Sequence, residues 1–192
     1  MRGHEDEGAK IYTTPAEGAS VELRDDSARS PALSSSTAIM PAAAQVLGLD
    51  HIYLTVSSLA RSEPFYDGVL TGTLGFRKGT FTLNGELHVS YFNRQFGLVL
   101  RPARPSALPS TTKVDPYVPG LHHLCLRVDS ESDVDRVATA LVALGISASP
   151  PRLFPEYAPD YRATFFEDPD GLRLEVTNFR AERRERQNHW EG

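Results

Sequence analysis

The sequence predicts an α+β protein made of two paired βαβββ modules, and three observations carry that expectation. Leu49–Val56 (LDHIYLTV) and Leu121–Val128 (LHHLCLRV) share the pattern Leu-x-His-(Ile/Leu)-x-Leu-x-Val, which puts His51 and His123 in one slot of a repeated unit at an offset of 123 − 51 = 72. A second echo, Gly97–Arg101 (GLVLR) with Gly171–Glu175 (GLRLE), recurs at nearly the same offset, 171 − 97 = 74. Each copy also runs in the same order: an alternating strand, a stretch with helical spacing, then short strands separated by turn residues.

Length and composition set the outer bounds. A chain of 192 residues that is 40% hydrophobic can bury a core as one domain or two small packed modules. Its formal charge of −5 argues against nucleic-acid binding driven by phosphate contacts. No run of about 18 apolar residues is present, so no membrane span is expected. The early acids Glu5, Asp6 and Glu7 disfavour a mitochondrial leader, and a basic start with an apolar run, the mark of a secretory signal, is lacking. The single cysteine, Cys125, rules out an intrachain disulfide and fits a reducing compartment, so a cytoplasmic location is expected. Mid-strand, Cys125 is expected to be a small buried hydrophobe rather than a nucleophile.

In chain order, residues 1–46 are rich in acidic and small residues without periodicity and are read as a flexible tail. The first module, residues 47–103, opens with the strand Asp50–Val56, whose alternation sends Ile52, Leu54 and Val56 to one face and His51, Tyr53 and Thr55 to the other. A helix follows. Because proline is tolerated in a first turn, Pro64 places its start near Ser62, and Gly72 and Gly75 end it. Strands around Phe76–Leu83 and Leu87–Asn93 flank the turn Asn84-Gly85, and Gly97–Arg101 completes the module. Residues 104–120 hold Pro105, Pro109, Pro116 and Pro119 and read as a linker. The second module spans 121–179. There Ser130 and Asp133 form a capping-box pattern, Val134, Val137, Ala138 and Leu141 follow helical spacing, and Gly145 supplies the stop. Pro150 and Pro151 make Ile146–Leu153 a poor strand. Arg162–Glu167 and Leu172–Asn178 form a hairpin around Asp168-Pro169-Asp170-Gly171. Residues 180–192 form a charged tail anchored only by Trp190, either a docking helix or a frayed end.

The chemistry follows from the pleat. His51, His123 and Glu175 each lie on the polar face of a strand whose other face is aliphatic. If helices cover the aliphatic faces, these three converge on one concavity as a divalent-metal site. Two histidines and one carboxylate leave coordination positions open, the arrangement of non-haem Fe(II) oxygenases and of metals that polarise an oxygen-rich substrate.

These same stretches, together with FYDGVLTGTLGF (residues 65–76) and FFEDPDGLRLEV (residues 165–176), resemble the vicinal oxygen chelate superfamily of glyoxalase I, extradiol dioxygenases and bleomycin- and fosfomycin-resistance proteins. The resemblance covers about Leu49–Phe179. It implies the glyoxalase/bleomycin resistance/dihydroxybiphenyl dioxygenase fold and, by position, the metal ligands His51, His123 and Glu175, holding Fe²⁺, Mn²⁺, Zn²⁺ or Ni²⁺. The substrate would be a small molecule that chelates the metal through neighbouring oxygens, and a homodimer stays open.

Where glyoxalase I has a further carboxylate in the first module, the repeat alignment puts Arg101, a cation suited to an anionic substrate or to pairing with Glu175. Extradiol dioxygenases carry a histidine and a tyrosine ahead of the final hairpin. Here Phe154–Phe166 has Tyr157 and Tyr161 but no histidine. Arg101, Tyr161 and His88 are therefore the candidate catalytic residues. His122 leaves the register of the second histidine open, although the match to His51 favours His123. The expected activity is dioxygenase-like oxidoreductase chemistry, ahead of a glyoxalase-type lyase or isomerase. A metal-free drug-binding protein is the alternative of another class.

Overall fold

The structure is a computed structural model, and it describes residues 46–107, 117 and 119–189. The expected tail 1–46 except Val46, most of the linker (108–116 and 118) and Trp190 lie outside the described residues.

The first half contains strands β1 (His51–Val56), β2 (Arg77–Leu83), β3 (Glu86–Phe92) and β4 (Gly97–Pro102), with helix α1 (Leu59–Tyr66) between β1 and β2. The second half repeats this with β5 (His123–Val128), α2 (Glu131–Ala143), β6 (Arg152–Leu153), β7 (Arg162–Glu167) and β8 (Arg173–Asn178), and helix α3 (Ala181–Asn188) follows. Each half forms one four-stranded mixed sheet, in the orders β1-β4-β3-β2 and β5-β8-β7-β6. The first strand of each runs parallel to the last, and the other pairs are antiparallel. This is the expected pair of βαβββ modules.

Local chemistry accounts for most boundaries. Asn84 and Gly85 both adopt positive φ (53° and 80°), the primed turn that matches the twist of the β2–β3 hairpin. Ser130 and Asp133 form a reciprocal capping box on α2. At its far end Gly145 sits at φ 74°, and the Ile146 amide donates to the Leu141 carbonyl at 2.9 Å, closing the helix. Pro150 and Pro151 leave β6 only two residues.

The start of α1 corrects the sequence reading. The helix begins at Leu59 after Ser58, so Pro64 lies inside it, and the chain continues through a π-helical stretch, Asp67–Thr73. Proline in a helix interior forfeits one backbone hydrogen bond, at roughly 3 kcal/mol. Burial of Tyr66, Val69 and Leu70 just beyond it supplies the compensating stabilisation.

Register supplies the second correction. His51 pairs with Gly97, whereas His123 pairs with Arg173, so the last strands of the two modules correspond at 173 − 97 = 76 rather than 74. Gly97 is a strand residue, while Gly171 is a turn residue at φ 85° just before β8. Two identical Gly-Leu pairs thus do different jobs. The residue equivalent to Glu175 is buried Val99, and Arg101 corresponds to Thr177.

One hydrophobic cluster spans both modules, joining Val56, Tyr66, Val89, Leu98 and Leu100 to Val137, Leu141, Phe166, Leu174 and Val176. Polar ties flank it. The Tyr66 hydroxyl donates to Asp168 Oδ2 at 2.9 Å, and Asp170 accepts from the Ser57 amide at 2.7 Å and from Arg61. Among the described residues no helix is long and apolar enough to cross a membrane.

Candidate metal centre

The polar face of β5 presents His123, Cys125 and Arg127, and the facing residues of β8 are Arg173, Glu175 and Thr177. Here His123 Nε2 lies 3.3 Å from Glu175 Oε2. The other carboxylate oxygen, Oε1, accepts the Tyr161 hydroxyl at 2.5 Å. Glu175 is buried and held from one side, and the histidine ring edge opposes its free side. Burial, followed by the bond to Glu175, raises the Tyr161 phenol well above its usual range, so it acts as a donor and not as a phenolate. His122 precedes the strand, and its Nδ1 contacts His123 Nδ1 at 2.7 Å. That contact engages the inner nitrogen of His123 and leaves Nε2 directed at the carboxylate.

His51, at the head of β1, is arranged in the same manner. Its Nδ1 lies 2.6 Å from Asp50 Oδ2, a contact that engages the inner ring nitrogen and leaves Nε2 for another partner. The His51 side chain is half exposed, at 52%. It does not join the other two. Among the described residues, no three His, Cys, Asp or Glu side chains gather closely enough to hold one metal ion. One chain therefore brings His123 and Glu175 together and holds His51 apart from them.

The remaining candidates lie on the His51 face of the first sheet. Arg101 faces the same way as His51, but its carboxylate partner is Glu86, with Nη2 2.6 Å from Oε2, and not Glu175. Arg101 Nε is buried without a hydrogen-bond partner. His88 is buried, with Nδ1 donating to the Glu86 carbonyl at 3.0 Å and its ring stacked on Phe81 at 5.0 Å. Tyr53 lies edge-on to both His88 and His51, linking them in one aromatic row.

Cys125 departs from the buried hydrophobe expected. It lies exposed on the face shared with Glu175. Although the residue as a whole is open to solvent, loss of water around its sulfur and then the Glu175 charge push the thiol up to about 12. It is no thiolate nucleophile.

Two supporting groups were legible but unread in the sequence. Asp50 directly precedes His51 in LDHIYLTV, a carboxylate within reach of the inner ring nitrogen. Arg127 follows His123 and Cys125 on the same alternation, and only its neighbourhood in the folded chain gives it meaning.

The duplicated four-stranded sheets match a known family. The model of the Glyoxalase/Bleomycin resistance protein/Dioxygenase superfamily matches residues 48–176. The chain belongs to that superfamily. It is 33% identical over 135 residues to an uncharacterized protein of Escherichia coli (strain K12), YaeR, covering 66% of this chain and 92% of that one. Among solved structures it is similar to a glyoxylase/bleomycin resistance protein/dioxygenase domain from Frankia sp. EAN1pec, at TM-score 0.58 and 24% identity, over 71% of this chain and all of the other. A lactoylglutathione lyase from Agrobacterium tumefaciens shares the fold at TM-score 0.51 and 21% identity, over 70% of this chain and 95% of the other.

Proposed function

We propose that this superfamily member is a divalent-metal-dependent enzyme acting on a small, oxygen-rich substrate that chelates the metal. In this reading His123 and Glu175 of one copy and His51 of a second copy hold the ion. The observation that carries it is the His123 Nε2–Glu175 Oε2 approach of 3.3 Å. Two donors sharing a metal at about 2.0–2.2 Å from each sit roughly this far apart. The support around them is of the kind that metal ligands receive: Tyr161 on the carboxylate, His122 and Asp50 on the inner ring nitrogens.

A second copy is invoked because His51 stands apart and because its sheet face leaves Tyr53, Phe81 and Phe92 exposed. A C₂ pairing that laid this face over the His123–Glu175 face of its partner would build two identical sites and cover those rings.

Dioxygenase-like oxidoreductase chemistry is favoured over a glyoxalase-type lyase or isomerase. Val99 occupies the first-module slot equivalent to Glu175, so two imidazoles and one carboxylate leave positions for both substrate and O₂. When bound, the metal would polarise the neighbouring oxygens of the substrate. The chain's own part is to orient Glu175 through Tyr161 and to exclude water with the Tyr53–His88–Phe81 row. The name of the A. tumefaciens relative keeps lactoylglutathione-type chemistry as the second enzymatic reading.

The test is metal content and oligomeric state of the purified protein, followed by O₂ uptake of the Fe²⁺-loaded form with an aromatic vicinal diol. One metal per chain in a dimer, with O₂ uptake, supports the proposal. A metal-free protein that binds aromatic ligands would replace it with the drug-binding alternative.

A further inference from the structure

The face that carries Glu175 continues one side-chain step along β5 and β8 to Arg127, which lies opposite Thr177. That step is about 7 Å. The Arg127 guanidinium rests on the Phe179 ring at 4.1 Å. Arg184 covers the same ring at 4.2 Å and is itself engaged by Asp129 at 2.6 Å. Helix α3 then adds Arg183, Arg186 and Gln187, which share one helix face by their i, i+3, i+4 spacing. Together with Arg127 they line an open groove of about 630 Å³.

Among the described residues, Arg127, Arg183 and Arg186 form no ion pair, whereas Arg61, Arg101, Arg136, Arg162 and Arg184 each have a carboxylate partner. Burial and then the like charges of Arg183, Arg184 and Arg180 pull Arg127 below its ordinary range. Three unpaired guanidiniums in one groove repel one another, in a chain whose formal charge is −5. Such a cluster is relieved by an anion, and the guanidinium fork matches the paired oxygens of a phosphoryl or carboxylate group.

We propose that Arg127, Arg183 and Arg186 form a binding site for an oxyanion group, phosphoryl or carboxylate, borne by the molecule that occupies the His123–Glu175 site. The groove as an anion site stands on its own residues. Its assignment to the substrate rests on the proposed function, and it defines the substrate class: a bifunctional small molecule with chelating oxygens at one end and an anionic group about one strand step or more away, roughly 7–10 Å.

The experiment is calorimetric titration of metal-free full-length protein with pyrophosphate and, separately, with citrate, at constant ionic strength. The expected result is saturable binding, one anion per chain, at least about tenfold weaker in Arg183→Gln/Arg186→Gln and again in Arg127→Gln. The stronger of the two titrants identifies the group as phosphoryl or carboxylate. Because no metal is present, this result is obtained whether or not the metal reading holds. Absence of saturable binding, or binding that the Arg183→Gln/Arg186→Gln variant leaves intact, overturns the site. So does tighter binding of an oligonucleotide that strengthens with its length, which would make the groove a nucleic-acid contact.

Discussion

The Tyr66 hydroxyl donates to Asp168 Oδ2 at 2.9 Å, a buried bond across 102 residues that ties the first module to the turn of the last hairpin. Asp168 is fully engaged, because its Oδ1 also accepts the Asp170 and Leu172 amides at 2.9 and 2.8 Å. The DPDG turn therefore docks the modules as well as shaping the hairpin that carries Glu175. Removing the hydroxyl leaves a buried carboxylate oxygen without its donor. Tyr66→Phe should cost about 1–3 kcal/mol of unfolding free energy by urea denaturation at pH 7. A change near zero would show that the hydroxyl is dispensable for docking.

Asp168 also sets a pH dependence. Burial, its largest influence, raises the carboxyl above the ordinary range despite the donors around it. A group raised in the folded state gives stability that is complete below its unfolded value, about 3.9, and is lost as pH rises through the folded value. Compared with Asp168→Asn, the wild type should therefore lose stability as pH climbs from about 4 through the raised folded value. Denaturation curves taken across that range measure the difference. Parallel pH profiles for the two proteins would contradict it.

Much of this arrangement was legible in the sequence. Alternation put His51, His123 and Glu175 on polar faces, and the turn residues Asn84-Gly85, Ser130 with Asp133, and Gly145 marked their elements correctly. Two things were not. Letter matching cannot tell a strand glycine from a turn glycine, so GLVLR and GLRLE were aligned two residues out of true register. An even slip preserves the face, which is why Arg101 still shares a sheet face with His51, opposite Thr55, but it hid Val99 as the true counterpart of Glu175. The separation of His51 from His123 was also invisible, because periodicity reports which face a residue occupies and not which faces meet.

The register yields a prediction of its own. Val99→Glu adds a carboxylate at the slot beside Tyr53, on the His51 face. In metal-free protein it should lower the Tm, because a buried charge is placed without a partner, and divalent metal should restore the loss. Arg101→Glu instead sets a carboxylate against Glu86 and should gain no metal affinity. Thermal melts with and without Mn²⁺ distinguish the two. The reverse pattern would reinstate the two-residue shift.

Tyr161 is expected to position Glu175. Tyr161→Phe should weaken divalent-metal affinity by about 10- to 100-fold while the fold persists, as loss of a ligand's hydrogen-bond partner does. Calorimetric titration with Zn²⁺ or Mn²⁺ measures it. Unchanged affinity would free Tyr161 from that role.

Cys125 reports on the same carboxylate without any metal. With its thiol pushed up to about 12, alkylation by iodoacetamide at pH 8 should be slow, and Glu175→Gln should accelerate it by removing the neighbouring charge. Equal rates would mean that the Glu175 charge is not felt at the sulfur.

The most direct measurement of the central claim is complementation between two variants that each lack a ligand. His51→Ala and Glu175→Ala, purified separately, should each fail to bind divalent metal. After unfolding and refolding together, mixed dimers should contain one intact site, made from His51 of one protomer with His123 and Glu175 of the other, and metal binding should reappear in the mixture. No recovery of metal binding in mixed dimers shown to have formed would contradict a site shared between two copies.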